Sequence, residues 1–387
     1  MRTCDVAVIG LGLMGSAALR ALASRGADVL GFDPLPVGSD RGSSHGSCRV
    51  FRRFNAESPA YTALSDEAFA GWRALEAASG RTILLPSQVL EAGPPGCAAV
   101  AASRAAALAA GAAPSGPRTG ADANARYPAF NLPDDWDVVV QDSGGILLAE
   151  AAMRAFREGA GDRIIPQAAR LQATPGGLRI ATGDEDVLAG QAIIAAGPWI
   201  GDFVPALKPL LTVTRQTVGW FKPAKPETVG HGDFPVFLLD GPHGFIYGFP
   251  DFEGRGVKAA RHDHGPPAAP YDWDPPASDQ ELAPVGETLA RFIPGAAGPI
   301  TERDVCLYTN AAHADVRADA GEEFIIDRLP QDPRIIVASP CSGHGAKFAS
   351  AIGEMLASLA LDPAFQADPA FRLDRFSRFR APLHGAA

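Results

Sequence analysis

The chain has 387 residues, 47% of them apolar and 20% charged, which leaves room for one large domain or two to three interleaved ones with an ample core. Acidic residues outnumber basic ones 44 to 34, for a net charge of −10 with no block of Lys or Arg, and this excludes the basic footprint of a nucleic-acid binder. No stretch reaches the ~18 uninterrupted apolar residues of a membrane span, and the scattered cysteines (Cys4, Cys48, Cys97, Cys306, Cys341) suit neither a disulfide framework nor a zinc ribbon.

Met1 to Asp5 runs straight into an apolar segment, with no space for a signal peptide, so a cytoplasmic protein with no metal is expected. Val6-Ala7-Val8-Ile9 reads as a buried strand, followed at once by Gly10-Leu11-Gly12-Leu13-Met14-Gly15. Ser16 to Ala23 is predicted to be a helix closed by Gly26, and Ala27 to Phe32 a second strand ending at Asp33. This is the dinucleotide fingerprint in its proper context. Glycines make the tight turn and admit the pyrophosphate, the helix N-terminus faces the phosphates, and the acidic residue takes the ribose. The motif predicts an adenine dinucleotide without choosing between NAD and FAD.

Past the turn-prone Gly42-Ser43-Ser44-His45-Gly46, the spacing predicts a helix over Ala60–Leu75 with Leu64, Phe69, Trp72 and Leu75 on one face. The Ala-rich run Ala98–Ala110 reads as an exposed helix, and a helix is also predicted near Ala149–Arg157. Ala192 to Ala196 is a buried strand ending in a turn at Gly197. Val213–Phe221 and Val236–Phe249 look like strands, each followed by a Pro-rich loop, the richest from Gly265 to Pro276. A strand over Arg334–Ser339 and a helix over Ala346–Leu361 flank Pro340-Cys341-Ser342-Gly343-His344-Gly345, which returns the chain to the nucleotide site. The predicted architecture is α/β: a Rossmann-like nucleotide-binding domain (1–84, 144–211 and 301–387) with an inserted α+β substrate domain (85–143 and 212–300) on a mixed, mostly antiparallel sheet. The chain has only five lysines, Lys208, Lys222, Lys225, Lys258 and Lys347, so a Lys can mark a compact ammonium that the planar fork of Arg does not replace.

Several separated segments resemble one family: Gly10–Gly15 with Asp33, Gly42–Arg52, Ile246–Pro250 leading to Lys258 and His262, Cys306–Thr309, Phe324–Asp327 and Ser342–Phe348. In this order they look like the monomeric sarcosine oxidase and N-methyltryptophan oxidase family of D-amino-acid-oxidase-like flavoproteins. The resemblance implies FAD, held by the Rossmann-like part as an FAD-binding domain of the glutathione-reductase type, with oxidation of a secondary (N-methyl or cyclic) amino acid to the imine, reduction of O2 to H2O2, and formaldehyde released on demethylation. It implies a covalent 8α-S-cysteinyl link through Cys306, Lys258 as the oxygen-activating residue, and Tyr247 and His262 as catalytic pocket residues. Arg52 and Lys347 would grip the substrate carboxylate, with Tyr247 also touching substrate and Arg53 the neighbouring alternative. Gly10, Gly12, Leu13, Met14, Gly15, Asp33, Ser44, His45, Arg49, Val50, Ala196, Trp199, Gly343, Gly345 and Lys347 would surround the cofactor, His45 and Arg49 in either a structural or a chemical role. Cys48 and Cys341 are expected only to pack.

The chain departs from the family pattern at Asn310–Glu323, which is longer and richer in Ala and Asp, and at Ala346, where an aromatic residue is expected. Trp220 and the loop with Tyr271 and Trp273 are candidates to line a large pocket, which favours a substrate bulkier than sarcosine. The small-molecule amine and O2 are the expected partners of a monomer or small homo-oligomer. The alternatives are a flavin dehydrogenase with a non-oxygen acceptor and a non-catalytic nucleotide-binding subunit.

Overall fold

The structure is a computed structural model that describes all residues except 56–58, 113–115, 263–264, 272–275, 313–322 and 380–387; the core of the Asn310–Glu323 stretch and Trp273 therefore lie outside the described residues. No helix among the described residues is long and apolar enough to cross a membrane.

The apolar run at the N-terminus becomes the strand Arg2–Ile9, central in a sheet where it pairs in parallel with Val29–Phe32 on one side and Asp186–Ile194 on the other. Asp332–Ser339 extends the sheet in parallel, and Ile164–Ile165 closes the far edge. Each is apolar because both faces are covered. The helices Leu13–Ser24 and Ala349–Leu361 pack on one face, where Gly353 lets them close: a Cβ there would sit 2.6 Å from Ala17 Cβ. The helix Pro59–Ser79 joins them, burying Leu64, Ala68, Trp72 and Leu75. Phe69 does not share that face. It is 38% exposed and rests against Phe51 and the Arg73 guanidinium, because the buried stripe follows 64, 68, 72 and 75. The Ala-rich helix Ala98–Ala109 is exposed as expected apart from Val100, Ser103 and Ala107.

A second, seven-stranded sheet runs Ile300–Ala311, Leu211–Phe221, Val257–Arg261, Gly244–Phe249, Val236–Gly241, Val89–Gly93, Asp137–Gln141, with a single parallel pair between Val236–Gly241 and Val89–Gly93. The strand carrying Cys306 hydrogen-bonds along its length to Leu211–Phe221, so the sheet continues past residue 300, where the sequence reading had returned the chain to the nucleotide region. A small third sheet joins Cys48–Phe51, Gly145–Leu148 and Leu84–Pro86.

Register decides what the second sheet shows to the first. Directly opposed residues share a face, as do residues two apart on one strand. Thr214 opposes Tyr308, Gln216 opposes Cys306, Trp220 opposes Lys258, Lys258 opposes Phe249, and Leu238 opposes both Tyr247 and Glu91. One face thus presents Tyr308, Cys306, Lys258, Tyr247 and Glu91. The other carries Leu90, Phe237, Ile246 and Ala259 into a core beneath the helix Asp279–Phe292.

Candidate active site

The two sheets enclose a cavity of about 890 Å3 that runs from the glycine turn to Lys258 and Lys347. Of the catalytic, substrate-binding and cofactor-binding residues that the resemblance implies, all but one line it: Gly10, Gly12, Leu13, Met14, Asp33, Ser44, His45, Arg49, Val50, Arg52, Ala196, Trp199, Tyr247, Lys258, His262, Cys306, Gly343, Gly345 and Lys347. Gly15 is the exception. It stands behind the turn, where a Cβ would lie 1.8 Å from Gly10 O, so its task is to let the helix close on the strand rather than to touch a ligand.

At the nucleotide end, Gly10 has φ +87°, and a Cβ on it would lie 2.5 Å from Ala195 O. The helix Leu13–Ser24 starts from Gly12, which brings no capping side chain, while Ser44 Oγ accepts from Leu13 N–H at 3.1 Å. Asp33 accepts from Leu11 N–H (2.6 Å) and Leu35 N–H (2.8 Å), which holds the carboxylate at the end of its strand. Ser339 Oγ on the cavity wall is buried with no hydrogen-bond partner among the described residues. A long cavity joining first-turn amides, a carboxylate and an orphaned hydroxyl to a cluster of cations fits a dinucleotide cofactor with an anionic middle. Arg157, which the sequence reading passed over, braces the turn from behind by donating to Leu11 O and to Ser16 Oγ (3.0 Å).

In the middle, Arg49 is tied to its own loop, donating to the carbonyls of Ser43 (2.8 Å), His45 (2.7 Å) and Cys48 (2.9 Å). This favours the structural role. His45 Nδ1 is 3.5 Å from Asp304, and burial outweighs that carboxylate and pushes the imidazole down to about 4, so it is neutral at physiological pH. Lys258 is 5% exposed; its Nζ donates to Cys48 O at 3.4 Å and lies over the rings of Trp220 (5.1 Å) and Phe249 (5.6 Å). Burial, helped by Arg49, lowers its pKa below the usual lysine value. The same burial pushes the Cys306 thiol up to about 11, opposed by Arg49 and Lys258.

At the far end, His262 lies 3.3 Å from Tyr308 Oη and edge-on to Tyr247. Burial raises both phenols above the ordinary tyrosine range, so they stay protonated donors. Tyr308 sat in a recognised segment but was not singled out there. The register two residues beyond Cys306 is the signal that places it. Gly343 abuts this group: a Cβ would lie 2.7 Å from the Tyr308 ring and 2.9 Å from His262. Lys347 falls in the 3-10 turn Gly345–Phe348 ahead of the last helix, not in the helix itself. It is 3% exposed, and its Nζ donates to His344 O at 3.1 Å. Arg52 lines the cavity, whereas Arg53 turns outward to Asp66 at 2.5 Å. Ala346 and Tyr271 also line the cavity, but Trp220 does not; it backs Lys258 and faces a separate, smaller cleft. Cys341 reaches the wall as well, accepting from Thr309 N–H at 3.4 Å.

Residues 5–359 match the family described as DAO, FAD dependent oxidoreductase. The chain is 31% identical to monomeric sarcosine oxidase of Bacillus sp. (strain B-0618) over 92% of both proteins. It is 29% identical to N-methyl-L-tryptophan oxidase of Yersinia pestis (strain Pestoides F) over 96% of this chain and 99% of that one. Among solved structures, NikD, an unusual amino acid oxidase essential for nikkomycin biosynthesis, superposes with a TM-score of 0.81 at 18% identity, covering 95% of this chain and 96% of that one. L-proline dehydrogenase from P. horikoshii follows at 0.78 and 17%, covering 94% and 95%.

Proposed function

The chain belongs to the FAD dependent oxidoreductase family, and from that premise we propose that it is an oxidase of secondary amino acids, producing an imine and H2O2, with formaldehyde when an N-methyl group is lost. One observation carries this reading: two cations suited to a carboxylate, Arg52 and Lys347, share a cavity with a buried ammonium, Lys258, and with the dinucleotide turn.

FAD, when bound, supplies a two-electron acceptor for the carbon–nitrogen bond. The amides after Gly12, Asp33 and Ser44 would hold its nucleotide end, with Arg49 and His45 shaping the loop beside its ring. Arg52 binds a carboxylate through its planar fork and Lys347 adds a point charge, which together fix the substrate's orientation. Tyr247 and Tyr308 donate hydrogen bonds, and His262 against Tyr308 can accept a proton as the amine reaches the neutral form that oxidation needs. Lys258 places positive charge where negative charge develops on O2. Cys306 stands on the cavity wall as the thiol for a thioether to the cofactor. All five cysteines are free thiols, which supports a reducing, cytoplasmic setting; we read the protein as a monomer or small homo-oligomer.

The test is peroxide release by the purified flavoprotein across secondary and primary amino acids, with formaldehyde scored in parallel. Both products from an N-methyl amino acid are expected. Flavin bleaching without oxygen, and no peroxide in air, would identify a dehydrogenase instead. No reduction by any amine would overturn the reading.

A further inference from the structure

The Lys258 side chain is buried without a carboxylate to hold it. Among the described residues its Nζ makes one hydrogen bond, to Cys48 O at 3.4 Å, and no acidic side chain lies within ion-pair distance. The titratable and charged groups that face it are Cys48 and Arg49 on the strand Cys48–Phe51, Asp304 and Cys306 on Ile300–Ala311, Tyr247 on Gly244–Phe249, and His45 in the loop before Cys48. Asp304 is the only carboxylate of this group, and it is engaged elsewhere, with His45 Nδ1 at 3.5 Å and Val305 N–H at 2.8 Å. What surrounds Nζ instead is aromatic: the Trp220 centroid at 5.1 Å and the Phe249 centroid at 5.6 Å.

Trp220 is held firmly for this. It opposes Lys258 directly across the strand pair and is 3% exposed. From the side of the smaller cleft the Arg255 guanidinium lies 4.4 Å from the indole centroid, itself anchored by Glu302 (Nε to Oε1, 3.1 Å) and Glu253 (3.3 Å). Thr301 Oγ lies within hydrogen-bond distance of the main-chain carbonyls of Trp220 (3.2 Å) and Arg255 (3.3 Å), which ties the two together. A carboxylate partner would hold the ammonium more strongly but would cancel the positive charge that O2 reduction calls on. A ring face stabilises the cation and leaves its charge intact, and indole is the best of the aromatic faces.

We propose that Trp220 is the positioning residue for Lys258: its indole face, fixed by Arg255 and the opposed strand, keeps the side chain a cation in a buried site and so sets the upper limit of pH over which the protein reduces O2. The second half rests on the oxygen role given above to Lys258.

The experiment follows Lys258 itself. The chain has only five lysines, so flavoprotein labelled with carbon-13 at the lysine ε-carbon gives a short set of NMR resonances, in which Lys258 is identified by its loss in Lys258→Met. The midpoint of its titration is expected to fall by about one pH unit in Trp220→Leu, the scale of one desolvated cation–π contact. In protein made with difluorotryptophan the ring nearly keeps its shape but loses negative charge from its face, and the midpoint should fall by about half a unit. Of the five tryptophans, Trp220 is the one placed against Lys258 among the described residues. The ammonium is present below its midpoint and lost above it, so reoxidation of reduced flavin by O2 should begin to slow about one pH unit earlier in Trp220→Leu. An unmoved midpoint in either altered protein overturns the role of the indole. If Trp220→Leu does not accumulate as a flavoprotein, the difluorotryptophan protein decides alone. Midpoints that fall while the reoxidation profile stays in place would overturn the oxygen role of Lys258 and not the hold of the indole on it, a separate outcome.

Discussion

The two ends of the cavity are built on different principles. In the proposed reading, recognition at the nucleotide end comes from backbone: a turn at Gly10 with positive φ, helix amides with no capping side chain, and one carboxylate at a strand end, all within residues 10–33. At the proposed substrate end it would come from side chains on segments far apart in sequence, Arg52, Tyr247, Lys258, Cys306 and Lys347, brought together by sheet register and a final turn. A backbone cradle is intolerant of any side chain that fills it. A side-chain cluster tolerates change one function at a time.

That contrast can be broken or sharpened by substitution. The largest effect should come from Gly15→Ala, whose Cβ would lie 1.8 Å from Gly10 O with only backbone to give way; the expected outcome is protein that retains no flavin, measured as flavin per chain after purification. Next, Lys258→Met should leave anaerobic flavin reduction by substrate nearly intact but slow reoxidation by O2 about a hundredfold or more, the scale of losing one preorganised electrostatic group. Equal slowing of both steps would show that the ammonium shapes the pocket rather than serving oxygen. Arg52→Gln should raise KM for an amino acid about tenfold to a hundredfold, with a smaller change in kcat.

Gentler still is Cys306→Ser, after which flavin should leave on denaturation while folded protein keeps it by contacts alone. The proposed linkage would also carry a pH signature. Thiolate is the reactive form and burial holds the thiol at about 11. When flavin-free protein is mixed with FAD, attachment should quicken about tenfold per pH unit between about pH 7 and 9. A flat profile would mean that the bound cofactor itself lowers the thiol's pKa. The smallest effect concerns His45. Its folded pKa of about 4 lies below the unfolded value, so the unfolded chain binds more protons and stability is lost as pH falls from about 6.5 toward 4. His45→Asn should flatten that part of a denaturation-midpoint profile and leave the neutral range unchanged.

The same division explains what was legible in sequence. The strand–turn–helix from Arg2 to Ser24 and its partner strand can be read directly, because every signal in it is local: apolar run, glycines, helix, acidic strand end. The site-facing residues of the second sheet are not readable in that way. Lys258 and Cys306 were found through resemblance, and what puts them on one face is pairing between strands tens of residues apart. Tyr308 follows from the same alternation once Cys306 is placed. Glu91 had no signal at all, sitting in Val-Leu-Glu-Ala-Gly, where a lone acidic residue reads as an exposed position. The neighbouring strand Asp137–Gln141 and the helix carrying Ser103 help enclose it. Gly15, packed against Gly10 and off the cavity wall, shows likewise that spacing alone does not separate a packing glycine from a lining one.

The strand Leu211–Phe221 contributes no group to the proposed chemistry, yet it lies between the strands of Cys306 and Lys258 and pairs with both. Gln216 opposes one and Trp220 the other, so four residues of extended chain, about 13 Å, act as the spacer that sets how far the thiol stands from the ammonium along the sheet. A spacer of this kind is indifferent to much of its own chemistry but not to its length. Adding or deleting one residue between Gln216 and Trp220 would invert the alternation on one side and turn either Cys306 or Lys258 away from the cavity. Trp220 apart, variation in this segment should therefore run to exchanges of residue type, while changes in residue number should abolish the site even with Cys306 and Lys258 themselves unaltered.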